Sequence, residues 1–254
     1  MSGDTTSGRT GRVRADQLLV ERGLAPTRAK AQALILAGQL FAGGGRIDKA
    51  GSLLPRDTEL ELRGAPHPWV SRGGVKLAHG LAHFDISVAG AVALDVGAST
   101  GGFTDVLLQG GATRVYAVDV GRGQLDWKLR GDPRVVVLER TNARRLSRAE
   151  IPEPVDLVVC DASFIGLETV LPAALALARP GARLVALIKP QFEVGKGRVG
   201  KGGVVRDPAL HQEVCARVER WLAETMGWGV LGVTDSPLQG ADGNREFLIA
   251  AERK

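Results

Sequence analysis

The chain has 254 residues, 44% of them hydrophobic, and a mean hydropathy of +0.01, enough apolar material for one large domain or two. No stretch approaches the ~20 consecutive apolar residues of a bilayer-spanning helix, and the polar start MSGDTTSGRTGR lacks an apolar signal core, so membrane insertion and secretion are not expected. The net charge of +5 admits a nucleic-acid partner, and it is unevenly placed: residues 1–64 hold ten Lys/Arg against seven Asp/Glu, a net of +3.

Two cysteines, Cys160 and Cys215, are too few and too far apart for a disulfide framework or a clustered metal site, which fits a reducing cytoplasm. The four histidines, His67, His79, His83 and His211, form no HExxH or Cys/His spacing, so no metal is expected.

Residues 1–11 read as a disordered tail. After it, RADQLLVERGLAPTRAKAQALILAGQLFAGG predicts two short helices. The first groups Ala15, Leu18 and Leu19 and stops at Gly23. The second starts after Pro26 with Thr27 as its cap, groups Ala31, Leu34 and Ile35, and stops at Gly38. RIDKAGSLLPRDTELELRG then changes to short strand-like pieces, with Leu60 and Leu62 alternating against Glu59 and Glu61.

Arg12, Arg14, Arg22, Arg28 and Lys30 fall on or beside the helices, and Arg46 and Lys49 in the loop after them. Such a face suits a phosphate backbone, because each neutralised phosphate releases counterions; an ordinary solvated helix face is the alternative. The pattern is similar to the RNA-binding domain named after small-subunit ribosomal protein four, over about residues 12–64. It departs from that family at Phe41-Ala42-Gly43-Gly44, where a Val-Asn-Gly turn is usual. Two prolines in RGAPHPW then mark a stiff join at about residues 65–70.

From residue 71 to 254, helix-like SRGGVKLAHGLAHF is followed by apolar runs AVALDVG, RVYAVDV, RVVVLE, VDLVVCD and RLVALIK, spaced by helical stretches. The pair WGVLGVTDS and REFLIAAE closes the chain. Near-continuous apolar strands separated by helices predict an α/β fold with a mostly parallel sheet covered on both faces. Ligands belong at the carboxyl ends of its strands.

The first of these strands ends in LDVGASTGGFTDVL, where Gly97, Gly101 and Gly102 allow a sharp turn into a helix. Asp119 ends the second strand 22 residues after Gly97, near the spacing at which an acid meets a ribose. A dinucleotide fingerprint wants glycine where Ser99 stands. The phosphate-loop spacing of Gly195, Gly200 and Lys201 wants Ser or Thr where Gly202 stands, and no helix pattern follows it. A nucleoside without phosphates, S-adenosyl-L-methionine, fits what remains. Asp95 and the turn Gly97, Ser99, Thr100, Gly101, Gly102 and Phe103 face its amino-acid end, Asp119 its ribose and Asn142 its adenine, with Asp161 alongside.

Four polar residues lie at or near strand ends in the order Lys76, Asp161, Lys189, Glu246. That order on such a sheet resembles the FtsJ class of ribose 2'-O-methyltransferases, which implies a Rossmann-like, seven-stranded methyltransferase domain. The words SRGGVKL, DVGASTGGFTD, CDASFIGL, IKPQFE and GNREFL, with the N-terminal module, closely resemble the TlyA (hemolysin A) family of ribosomal RNA methyltransferases across nearly the whole chain after the tail. The resemblance implies cytidine 2'-O-methylation in ribosomal RNA within ribosomal subunits. Removing a proton from a ribose hydroxyl needs a positioned base, and a lysine serves only as the neutral amine. Lys189 is assigned as base, Lys76 as the cation that places the hydroxyl, and Asp161 and Glu246 as their holders. Two other functions are weighed: a non-catalytic RNA-binding or ribosome-assembly factor, against which the intact tetrad argues, and a pore-forming hemolysin, for which the sequence offers no membrane-spanning segment.

Overall fold

The computed structural model describes residues 11–36, 38–62, 67–195 and 197–254. Most of the expected tail (1–10) and part of the join (65 and 66) lie outside the described residues. The chain divides into two compact units between Pro66 and His67.

In the first unit, strand β1 (Arg12–Arg14) leads into helices α1 (Ala15–Glu21) and α2 (Arg28–Leu36). Short strands β2 (Leu40–Ala42), β3 (Gly45–Arg46), β4 (Leu53–Pro55) and β5 (Leu60–Leu62) follow. Thr27 caps α2, its hydroxyl accepting the Lys30 N–H at 3.2 Å. Ala15, Leu19, Ala31, Ile35 and Leu40 form the core of this unit. Two strands were not legible beforehand: β1, which pairs antiparallel with β4, and β2, which pairs with β3 and β5. Three residues give no alternation to read, and it is the pairing partner that makes them strands.

The second unit opens with helix α3 (Gly73–His83). It continues through β6 (Val92–Val96), α4 (Gly102–Gln109), β7 (Arg114–Val118), α5 (Trp127–Arg130), β8 (Val135–Leu138) and β9 (Val155–Cys160). Then come α6 (Leu167–Val170), α7 (Pro172–Ala176), β10 (Ala178–Ile188), α8 (Pro190–Glu193), α9 (Pro208–Arg220), β11 (Trp228–Asp235) and β12 (Phe247–Arg253). The seven strands order as β11-β12-β10-β9-β6-β7-β8. β6 to β10 run parallel, and β12 runs against both its neighbours.

Strand alternation explains why these runs contain hardly a polar residue. Leu94, Val96, Val158, Cys160, Leu184 and Ile188 enter one apolar layer with α6, α7 and α9, while Ala93, Leu157, Val159, Val185 and Leu187 enter the other with α3 and α4. Both faces are covered, so polar side chains are left to the strand ends. Among the described residues no helix is long and apolar enough to cross a membrane.

Candidate active site

Asp161 directly follows β9, Lys189 follows β10 and Glu246 precedes β12. The antiparallel register Ile188↔Phe247 brings the ends carrying Lys189 and Glu246 side by side. Helix α3 contributes Lys76, and its first residue, Gly73, lies so close that a Cβ there would sit 3.7 Å from Asp161 Oδ2. One rim of the sheet therefore holds all four residues.

They form two ion pairs. Lys76 Nζ meets Glu246 Oε2 at 2.6 Å with side chains only 8% and 3% exposed. Lys189 Nζ meets Asp161 Oδ1 at 2.6 Å, with side chains 8% and 23% exposed. Lys189 also donates to the Asp161 carbonyl at 3.1 Å and to Ser163 Oγ at 2.9 Å. An ammonium has three donors, so those of Lys189 each have an acceptor.

A brace that sequence reading missed holds the two loops bearing Asp161 and Lys189. Glu193, at the end of α8, is buried; its carboxylate accepts the Leu167 N–H at 2.8 Å and an Arg217 N–H at 2.6 Å. Burial pushes the Glu193 carboxyl up, opposed by the Leu167 N–H and the Arg217 charge. Arg217, on α9, also reaches Glu168 at 2.9 Å and the Glu193 carbonyl at 3.0 Å. Gly166 packs closely here: a Cβ at its position would stand 3.1 Å from Glu193 Oε2, so the carboxylate would have to shift by a few tenths of an ångström. The only signal in the sequence was the acid closing IKPQFE; its partner Arg217 lies 24 residues away. Next to the brace, Phe164 is 89% exposed at φ 65° and its ring centroid lies 5.0 Å from that of Phe192.

At the neighbouring strand ends, Asp95 is fully buried; its Oδ2 accepts from Thr104 Oγ1 at 2.7 Å, and its Oδ1 has no partner. Burial, and to a smaller extent the Asp161 charge, push this carboxyl up to about 7 against the Thr104 hydroxyl. Asp119 accepts the backbone N–H groups of Ser99 at 2.8 Å and Gly121 at 2.7 Å. The turn from Gly97 to Gly102 closes on itself, with Ser99 at φ 48°. Gly101, at φ 95°, has no room for a Cβ, which would lie 2.3 Å from Leu129. Ser99 and Thr100 are exposed, Gly102 begins α4, and the Phe103 side chain is buried in the apolar layer with Leu77, its Cδ1 3.9 Å from where a Cβ on Gly73 would stand. Asn142 Oδ1 accepts the Arg144 backbone N–H at 3.1 Å, capping a short 3-10 turn.

Residues 69–253 match the family model of FtsJ-like methyltransferases, and residues 13–60 match that of the S4 domain. The 16S/23S rRNA (cytidine-2'-O)-methyltransferase TlyA of Mycobacterium tuberculosis is 52% identical over 239 residues, 94% of this chain and 89% of that protein. The chain belongs to the TlyA (hemolysin A) family. A solved structure from Streptococcus thermophilus carrying the hemolysin name is 42% identical, with a TM-score of 0.76 over 96% of this chain and 90% of that one. An O-methyltransferase of Bacillus cereus in complex with SAH shares the fold at 22% identity, with a TM-score of 0.50 over 74% and 84%.

In this TlyA-family chain the basic residues of the S4 domain divide into two sets. Asp16 is fully buried and accepts from Arg14 at 3.0 Å, Arg28 at 3.0 Å and Gln32 at 2.8 Å. The Arg14 guanidinium above all holds its carboxyl well below the usual carboxylate range. Arg46 pairs with Asp48 at 2.7 Å, and Arg22 donates to the Arg56 carbonyl at 2.6 Å. Arg12, Lys30 and Lys49 are exposed and have no carboxylate partner among the described residues. Arg12 and Arg14 stand on strand β1, directly before α1.

The glycine-rich basic loop after Gly195 is pinned. Arg198 makes two 2.6 Å bonds to Glu213, and the Val205 N–H donates to Asn244 Oδ1 at 3.1 Å, two residues before Glu246. Only a 3-10 turn, Lys201–Gly203, follows Gly200, and the next α-helix starts at Pro208, so no phosphate-cradling helix is present there. Among the described residues no cluster of three His, Cys, Asp or Glu could hold a metal.

Proposed function

We propose that the chain methylates the 2'-hydroxyl of a cytidine in ribosomal RNA, within ribosomal subunits of the cytoplasm, using S-adenosyl-L-methionine. The observation that carries this reading is the two lysine–carboxylate bridges, one buried and one partly open, at one rim of a methyltransferase sheet. A relative named as an rRNA (cytidine-2'-O)-methyltransferase, half identical across nearly the whole chain, supports the substrate.

The residues beside that rim suit the cofactor. Asp95 keeps one buried oxygen without a partner, and Asp119 and Ser99 stand at the exposed turn where a nucleoside would be held. Asp95, Asp119 and Asn142 are assigned to hold it, together with the backbone from Gly97 to Phe103. The cofactor supplies the methyl as an electrophile on a sulfonium.

The chain's own residues do the rest. Lys189, once its ammonium has released to solvent the proton it holds in the Asp161 pair, takes the ribose 2'-hydroxyl proton at Nζ, while Asp161 and Ser163 fix where that nitrogen stands. Lys76 holds the hydroxyl oxygen, and Glu246 offsets its charge in a site too buried for water to do so. Arg12, Lys30 and Lys49, together with those arginines that exchange an internal carboxylate for a phosphate, grip the RNA from residues 12–64, and residues 71–254 perform the transfer.

The test is to map 2'-O-methyl nucleotides in ribosomal RNA from cells with and without the protein. One or more cytidine methylations should disappear with it. Identical maps, or a lost mark on a base instead of a ribose, would sink the proposal.

A further inference from the structure

The tetrad and the S4 domain leave unexplained a second concentration of positive charge. Residues 121–148 contain eight Lys/Arg (122, 128, 130, 134, 140, 144, 145 and 148) against three Asp/Glu (126, 132 and 139), a net of +5, as large as that of the entire chain. Two of the eight are neutralised: Arg134 by Asp132 at 2.8 Å, and Arg130 by Glu139. Asp126 is engaged in capping α5, accepting the Lys128 N–H at 2.9 Å. Arg122, Lys128, Arg140, Arg144 and Arg145 are exposed and pair with no carboxylate among the described residues.

In the middle of this charge stands Trp127, the first residue of α5, with 75% of its surface exposed. A tryptophan buries more apolar area than almost any other residue, so one left open on a rim of cations marks a contact surface. Lys128 Nζ lies 5.9 Å from the ring centroid. The Asp126 N–H donates to the Thr100 carbonyl at 3.1 Å, the Arg140 N–H to the Gly121 carbonyl at 3.1 Å, and the Thr141 N–H to the Asp119 carbonyl at 3.0 Å. These bonds tie the charged segment to the turn assigned to the cofactor, at the strand ends where the reaction is placed.

We infer that Trp127 is a stacking platform for an unpaired base of the RNA substrate, and that Arg122, Lys128 and Arg144 hold the phosphates on either side of that base. The inference rests on the RNA substrate proposed above. A ribose can enter such a site only when its nucleotide is drawn out of the folded RNA, which leaves neighbouring bases unstacked. An aromatic face flanked by cations takes up such bases regardless of sequence and holds the strand through its backbone.

The test uses the full chain and ribosomal subunits, with Trp127→Ala, Trp127→Phe and the double variant Arg122→Ala/Lys128→Ala. Loss of one stacked base should weaken RNA binding roughly 5- to 150-fold in Trp127→Ala, while Trp127→Phe, which still offers a ring, should stay within about fivefold. The double variant should flatten the dependence of log affinity on log salt by about 1–2, at ~0.7 per single-strand phosphate. Cofactor affinity, read by calorimetry, should not change in any of them. Wild-type RNA affinity and salt slope in Trp127→Ala and in the double variant overturn the inference; so does a loss confined to cofactor binding. A defect on assembled subunits that is absent on protein-free ribosomal RNA assigns the surface to a ribosomal protein and overturns it too. A wild-type chain that binds subunits but transfers no methyl sinks the proposed activity while leaving this surface standing.

Discussion

The two lysine–carboxylate pairs have the same 2.6 Å separation and differ in nearly everything else. Lys76 and Glu246 come from a helix and a strand end, both side chains are buried, and each is the other's ion-pair partner. Lys189 and Asp161 stand on loops after parallel strands, Asp161 is partly open, and Lys189 has Ser163 and a carbonyl as further acceptors. A buried pair with one contact is a fixed cation, costly to alter on either side. An amine with several polar neighbours at an open edge can exchange one of them for a substrate. This difference supports giving proton removal to Lys189 and hydroxyl placement to Lys76.

The largest expected effect tests that division directly. Lys189→Arg keeps the charge but cannot supply a neutral amine, and Lys189→Ala removes both. Both should bind cofactor and RNA nearly as wild type does and lose ~10²–10⁴-fold in single-turnover methylation. Substantial turnover in Lys189→Arg would reverse the roles and make Lys76 the base.

Stability distinguishes the pairs next. Glu246→Ala leaves Lys76 buried without its carboxylate and should cost about 3–5 kcal/mol in denaturant unfolding. Asp161→Ala should cost clearly less, because Asp161 is 23% exposed and Lys189 retains Ser163. Equal losses would erase the contrast between a fixed and an exchangeable pair.

The brace should matter to the Lys189 pair alone. Arg217→Ala loosens both loops that carry it and should lower kcat roughly ten- to hundredfold with little change in cofactor affinity. Arg217→Lys should recover only part, since an ammonium cannot span Glu168 and Glu193 as a guanidinium does. A variant that melts earlier but turns over normally would reduce the brace to a structural tie.

The smallest effect concerns Asp95, whose carboxyl is raised by burial from an ordinary 3.8 to about 7. Between those values the folded chain retains a proton that the unfolded chain has released, so this group's contribution to stability falls as pH rises across the interval and stays low above it. Asp95→Asn removes that dependence. Thermal melts of the ligand-free protein should show the variant gaining on wild type from about pH 5 upward and the gain levelling off above about pH 7. A constant difference at every pH would mean that Asp95 is not the buried acid described.

Some of this was legible in the residues. Runs such as VDLVVC and RLVALI, short and apolar throughout, read as strands covered on both faces, and a charge directly after such a run falls at the strand end, where Asp161 and Lys189 stand. The arginines of the S4 domain were less readable. Counting them as one RNA-facing set treats charge as a property of each residue, whereas Arg14 and Arg28 share the buried Asp16. The strand character of β1 was hidden as well, since nothing in Arg12–Arg14 announces its pairing with β4.

The sequence by itself determined the alternation of strands and helices, the glycine turn after β6 and the identities of the four tetrad residues, because periodicity and strand-end position are local properties of the chain. Only the tertiary structure decided which lysine meets which acid. Lys76 and Glu246 are 170 residues apart, and the register of β12 on β10, together with α3 packed against the sheet, brings them within 2.6 Å. The brace of Glu193 with Arg217, 24 residues apart, is a product of the same kind. A contact energy depends on distance in space, and distance along the chain does not report it.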